Sequence, residues 1–134
     1  MAIKIWMVFE AVAATEEDLE KSLEEHVKKL REEEEGLEVV SEESDETEKI
    51  ENPAPQIDEG FSRVTEVVVE VEKFSKAVSI VLNYGPTYVQ IEEPEEWTMD
   101  MKDAQESLQK MATKMHQYAQ QGAGGVIISK PSEG

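Results

Sequence analysis

In the sequence FSRVTEVVVEVEKFSKAVSIVLNYGP, residues 61–86, the spacing of the apolar residues changes once, from the period of a strand to that of a helix. This change sets the order of the elements around this stretch. Its first half alternates as a strand does, with Thr65, Val67, Val69 and Val71 on one face and Glu66, Val68, Glu70 and Glu72 on the other. Its second half repeats apolar residues at helical spacing. Gly85 and Pro86 end that helix, because glycine accepts a left-handed conformation and proline cannot continue a helix. The stretch therefore predicts a half-buried strand followed by a short amphipathic helix.

The N-terminal third of the chain predicts another strand and helix. Residues 3–13, IKIWMVFEAVA, alternate with period two, which favours a strand with one strongly apolar face. Thr15 and Asp18 form a capping pair at the start of an amphipathic helix over about 15–35. Its apolar positions recur at spacings of four, four and three: Leu19, Leu23, Val27 and Leu30. Gly36 ends this helix, and LEVV, residues 37–40, predicts a short second strand.

The segment between the second predicted strand and the strand that begins near residue 61 is acidic and interrupted by proline. SEESDETEKIENPAPQIDEG, residues 41–60, holds too few apolar side chains to pack against a core. Such a composition is typical of segments without regular structure. The sequence therefore predicts a long mobile connector here.

Downstream of the first stretch the chain predicts one more strand and a long helix. TYVQIEE, residues 87–93, is a strand at or near an edge, ended by Pro94, and residues 94–97 form a turn. Residues 98–121 form the last helix. GAGG, residues 122–125, is a flexible joint, and VIIS, residues 126–129, is a possible short fifth strand.

This order, β-α-β-β-α-β followed by a helix, predicts a single α+β domain of ferredoxin-like type with a mainly antiparallel sheet. Clean alternation in the strands is typical of antiparallel sheets, in which one face is packed and the other is open. A length of 134 residues fits one domain.

The charge balance excludes several partners. The chain has 31 acidic and 13 basic residues, a formal net charge of −18, and only two arginines, Arg31 and Arg63. Nucleic-acid backbones are bound by clustered basic side chains, so nucleic acid is not an expected partner. The short apolar N-terminus carries Lys4 and Glu10, which argues against a membrane span. The same features argue against a signal peptide, so we expect a cytoplasmic protein. The lack of cysteine excludes disulfides.

Two resemblances arise from these residues. AVSIVLNYGPTYVQIEEPEE, residues 77–96, resembles the C-terminal ferredoxin-like module of WYL-domain transcription regulators. Most of the chain, including MHQYA at residues 115–119, resembles small uncharacterised archaeal proteins of this length. The resemblances imply a ferredoxin-like fold and carry over no functional residue.

The last helix has a narrow apolar stripe, which is expected to be buried against another apolar surface. Its members are Met101, Ala104, Leu108, Met111, Met115 and Tyr118. They recur at spacings of three and four over nearly three heptads. Two partners fit this pattern: the open face of the chain's own sheet, or a second subunit. The sequence leaves both open.

Three further constellations are candidates for chemistry. Trp6, Tyr84, Tyr88 and Trp97 are candidates for an aromatic ligand pocket. His116, with Glu10, Glu66 or Glu70 of the open sheet face, is a candidate acid–base pair. Glu92, Glu93, Glu95, Glu96 and Asp100 are acidic enough for weak cation association but lack the spacing of a calcium loop. His26 is expected at the surface. We expect no cofactor and no specific metal site.

The functional expectation follows from the stripe and from the lack of any catalytic motif in the sequence. It is a non-enzymatic binding or assembly module whose last helix and open sheet face meet a second subunit in a homo-oligomer, or another protein partner. The first alternative is a domain that binds a small effector molecule. The second is a minor enzyme that uses His116 and the sheet carboxylates.

Overall fold

The computed structural model describes residues 2–33, 35–54 and 57–120. This part of the chain contains β1 (Ile3–Ala13), α1 (Glu16–Glu33), β2 (Leu37–Ser44), β3 (Glu48–Ala54), β4 (Ile57–Val71), α2 (Phe74–Tyr84), β5 (Tyr88–Glu93) and α3 (Met101–Gln120). The predicted order of strands and helices is confirmed, with β3 as one addition. The possible strand at 126–129 and the joint at 122–125 lie outside the described residues.

The five strands form one antiparallel sheet in the order β2-β4-β1-β5. The long strand β4 organises it. β1 pairs along β4 from Ile3↔Val71 to Ala13↔Phe61. On the other edge of β4, β2 pairs with its second half and β3 with its first half. The ferredoxin-like α+β class is thus confirmed, and β5 is an edge strand of the described sheet.

The core lies on the face of the sheet that alternation predicts. β1 buries Ile3, Ile5, Met7 and Phe9, and β4 buries Thr65, Val67, Val69 and Val71. Helix α1 covers them with Leu19, Leu23, Val27 and Leu30, the stripe read from the sequence. Both predicted helix ends are also confirmed. The Asp18 amide donates to Thr15 Oγ1 at 3.1 Å, and Gly85 takes a left-handed conformation with φ of 59°.

The acidic segment 41–60 differs from its predicted structure. β2 continues to Ser44, and β3 forms a hairpin with the first half of β4. Backbone hydrogen bonds hold such a hairpin, so its side chains need not be apolar. One polar contact supports each part: Ser44 Oγ at the end of β2 lies 2.9 Å from Thr65 Oγ1, and Lys49 of the hairpin forms an ion pair with Glu59. The prediction of an irregular connector is wrong for the described residues, and its mobility stays a prediction.

Candidate interaction surface

Helix α3 packs beside α2 through its polar side. Asp103 and Ser107 are its buried residues. Asp103 lies at the start of α2, and Lys114 Nζ donates to Asn83 Oδ1 near its end, so the two helices run parallel. Further polar contacts join Glu106 and Lys110 to Ser75. The sequence left open whether the last helix covers the open face of its own sheet. It does not, because α3 lies against α2.

The carboxylate of Asp103 caps the N-terminus of α2 from a different helix. The residue at the N-cap of α2 is Lys73, which supplies no side-chain hydrogen bond. Instead, Asp103 Oδ2 accepts the Phe74 amide and Oδ1 accepts the Ser75 amide, each at 3.0 Å. These two N–H groups are among the first four of a helix, which have no partner within it. Asp103 thus fixes α3 to α2.

The surroundings of Asp103 favour its ionised form. Burial raises the pKa of this carboxyl, but three other effects together outweigh it: hydrogen bonds from the Ser75 side chain and amide, a hydrogen bond from the Phe74 amide, and the charge of Lys73. The net result is a pKa below the ordinary value of 3.8. Asp103 was not among the candidates read from the sequence. The sign that could have indicated it is an acidic side chain in the first turn of the helix that carries the apolar stripe.

With its polar side against α2, helix α3 leaves its apolar stripe uncovered by the described residues. The exposed fractions are 77% for Met101, 63% for Leu108, 42% for Met115, 38% for Met111 and 37% for Tyr118. Single exposed apolar residues are normal on a protein surface. A continuous stripe of five large side chains on one helix is not, and such patches mark interaction sites.

An apolar groove opens beside the stripe. It has a volume of about 260 Å³ and is lined by Ile3 and Ile5 of β1, Val89 and Ile91 of β5, Phe74, Ala77, Val78, Val81 and Leu82 of α2, and Met111 of α3. Every lining residue is apolar. Val89 and Ile91 pair with Met7 and Ile5, so they point to the core face of the sheet. Both remain exposed, because no described element covers this edge.

This side of the molecule also differs in charge from the rest of the chain. α3 carries Lys102, Lys110 and Lys114 against Asp103 and Glu106, a net charge of +1. α2 carries Lys76 alone, again +1. The whole chain has a net charge of −18. The two helices next to the groove are therefore the part of the surface with the least negative charge to repel another copy.

The open face of the sheet brings together three of the predicted site residues. Trp6 Nε1 donates to Glu66 Oε1 at 3.0 Å, and the Trp6 and Tyr88 rings meet edge to face at 5.5 Å. Glu70 pairs with Lys4 in the register of β1 and β4, and Glu10 is exposed near the far end of β1. This face is a mixed surface of aromatic, valine and carboxylate side chains, as the alternation predicts.

The other two aromatic candidates lie away from that face, so the predicted four-residue pocket is wrong. Tyr84 is buried on the core side, where its ring meets that of His26 at 5.2 Å. His26 is itself half-buried and its Nε2 donates to the Tyr84 carbonyl at 2.8 Å, which corrects its expected surface position. Trp97 packs against the core cluster. The alternation could not show this, because neither residue lies in a regular strand.

Trp97 lines a separate polar cavity of about 200 Å³. The cavity lies between the end of β4 and the start of α3, and its other lining residues include Lys73, Asp100, Lys102 and Asp103. Trp97 Nε1 is buried and has no hydrogen-bond partner within the described part of the chain. Buried indole N–H groups usually find an acceptor.

The predicted acid–base pair does not form. His116 is exposed on α3, and its Nε2 lies 3.2 Å from Gln120 Nε2. α3 packs on α2, on the core side of the sheet, whereas Glu66 faces the open side with Trp6. The sheet therefore separates the imidazole from that carboxylate. Among residues 2–33, 35–54 and 57–120, no three His, Asp or Glu side chains are grouped so that they could hold a metal ion.

Fold and surface together define the class: a ferredoxin-like α+β domain with a third helix that leaves an apolar stripe and groove uncovered. The chain belongs to the MJ0538 family, whose model matches residues 4–131. This finding is consistent with the resemblance to an uncharacterised archaeal family. No curated protein matches the chain. None of the described helices is long and apolar enough to cross a membrane.

Proposed function

We propose that the protein is a non-enzymatic assembly module that associates with a second copy of itself through α3 and the adjoining groove. The observation that carries this proposal is the exposure of the α3 stripe, together with the polar packing that holds the stripe in that orientation. A helix normally buries its apolar side and exposes its polar side. α3 does the reverse within one chain, which is the arrangement expected when a second subunit supplies the missing contact.

The sequence expectation joined α3 and the open sheet face in one surface. The structure puts them on opposite sides, so the proposal uses the α3 side. Two features favour that choice. The groove and stripe are apolar, and burial of apolar area is the main favourable term in association. The open sheet face holds Glu66 and Glu70, whose carboxylates would oppose the approach of another chain of net charge −18.

Native mass spectrometry of freshly purified protein tests this proposal. We expect a species of twice the 15.1 kDa chain mass at micromolar concentration. Because apolar contacts would hold the two copies together, this species should persist at high salt, which screens only exposed charges. A protein that stays at 15.1 kDa at every concentration and salt level would contradict the proposal.

A second candidate function is the binding of a small polar ligand in the Trp97 cavity. The specific observation in its favour is the buried Trp97 Nε1, which a ligand with a hydrogen-bond acceptor would pair. The cavity lining has a net charge of −2, so it suits a neutral polar ligand better than an anion. Its two lysines, Lys73 and Lys102, are outnumbered by four carboxylates: Glu72, Asp100, Asp103 and Glu106. The resemblance of residues 77–96 to the module of WYL-domain regulators is compatible with this role and assigns no residue to it.

Tryptophan fluorescence tests the second candidate. The chain has two tryptophans, so Trp6→Phe leaves Trp97 as the only indole reporter. With a panel of sugars and other neutral polar compounds, we expect at least one compound to shift the Trp97 emission and to raise the melting temperature, as a ligand of the folded state does. Trp97→Phe is the control and should lose the stabilisation. A panel that changes neither signal up to millimolar concentration rules the candidate out.

A further inference from the structure

We infer that the two copies meet in an isologous interface in which the α3 stripe of each covers the groove of the other, with Met111 next to the two-fold axis. This inference rests on the proposed function and specifies its geometry. It concerns one occupant of the groove, a second copy of this chain.

The first step is that stripe and groove are one continuous surface. Met111 belongs to the α3 stripe by its helical spacing, and its side chain also lines the groove with Val89 and Ile91. In a two-fold interface the same patch is used on both subunits, so each part of the patch contacts the other part on the partner. A residue shared by the two parts lies where they join, which is where the axis passes.

The second step is that the groove lacks one packing layer. The side of α2 that contacts α3 holds Ser75 and Asn83, whereas Ala77, Ile80 and Tyr84 face the core. The side of α2 toward β5 holds Val78 and Val81, which line the groove, and Val81 is 36% exposed. The position beside α2 and above β5 is therefore unoccupied by any described element. Apolar faces of helices and sheets are ordinarily buried against another element. A helix with an apolar stripe would fill this position.

The third step is charge. An isologous contact places the same patch of both subunits face to face, so a strongly acidic patch would repel its copy. All ten lining residues of the groove are uncharged. Most glutamates of the chain lie elsewhere, and the net charge of α3 is +1. The surface that the geometry assigns to the interface therefore carries little negative charge to repel another chain of net charge −18, which argues for a second copy as its occupant.

Single-cysteine cross-linking tests the position of the axis, because the chain contains no cysteine of its own. In Met111→Cys the two thiols should lie close enough for a disulfide, which needs Cα atoms within about 7 Å. Met101→Cys is the matched control. Residue 101 is also an exposed stripe methionine, but ten residues place it about 15 Å along the helix from residue 111. Its two copies would then lie far apart.

Under mild oxidation we expect Met111→Cys to form the linked dimer on the order of a hundredfold faster than Met101→Cys, since a thiol within an assembly meets its partner at millimolar effective concentration. Circular dichroism and native mass of both variants check that fold and assembly are kept. Equal rates, or faster linking of Met101→Cys, in a protein that is dimeric by native mass would overturn the geometry and leave the proposed function standing. A monomeric wild-type protein would overturn both.

Discussion

Asp103→Ala is expected to lower the free energy of unfolding by about 2 kcal/mol, since the variant removes two hydrogen bonds to a charged acceptor and exposes two helix N–H groups without a partner. Asp103 is nine-tenths buried, and it accepts both the Phe74 and Ser75 amides. Its loss should also release α3 from the start of α2. Chemical denaturation followed by circular dichroism measures the change. Hydrogen exchange should show faster exchange of the first-turn amides of α2.

Asp100→Ala is the matched control for this variant. Asp100 Oδ1 accepts the Asp103 amide at 2.8 Å, which is an ordinary cap of α3 by its own preceding residue. Its removal is expected to cost about 1 kcal/mol, the usual value of a single cap. If Asp100→Ala proved as destabilising as Asp103→Ala, the contact between α2 and α3 would not depend on the shared carboxylate.

The lowered pKa of Asp103 makes its contribution depend on pH in a defined direction. The pKa is below 3.8 in the folded protein and close to 3.8 when the chain is unfolded. The unfolded state therefore binds more protons in this range, so the stability rises with pH there. The contribution is fully present above the unfolded pKa and is lost as the pH falls through the folded one. The stability difference between wild type and Asp103→Asn should accordingly shrink below about pH 4.

The parts of this structure that the sequence predicted are those that depend on local rules. Strand alternation assigned Val67, Val69 and Val71 to the core, and Thr15 and Gly85 marked helix ends through their own backbone chemistry. The β3 hairpin was missed because its support is backbone pairing with β4, and Lys49 and Glu59 carry no hydrophobic signal. The composition of a segment shows only whether its side chains can form a core, and it does not show whether its backbone pairs with a neighbouring strand.

The position of α3 was out of reach for a different reason. It depends on a contact between Asp103 and the start of α2, 28 and 29 residues earlier in the chain. A stripe of methionines indicates that a helix packs, but not where. The polar side of α3 decides where this helix packs. Asp103 supplies the cap that α2 lacks, because the N-cap residue of α2, Lys73, makes no side-chain hydrogen bond. The same long-range placement separated His116 from Glu66, and Trp97 from Trp6.

The exposed stripe gives the second large expected effect. Leu108→Glu should weaken self-association by roughly 3 kcal/mol or more, over a hundredfold in affinity, because it buries a carboxylate without a partner at the interface of both copies. In the free subunit Leu108 is 63% exposed, so the stability of the monomer should change little. Native mass spectrometry and concentration-dependent light scattering would show a shift toward the 15.1 kDa species.

Gln109→Glu is the control that separates charge from position. Gln109 is the next residue of α3, is exposed, and lies about 100° around the helix from Leu108. Both variants add one negative charge to the same helix, so general repulsion between acidic chains acts equally on them. We expect Gln109→Glu to keep the wild-type mass distribution. If both variants dissociate alike, net charge governs assembly; if neither does, the copies meet through another surface, and the exposed stripe has some other partner.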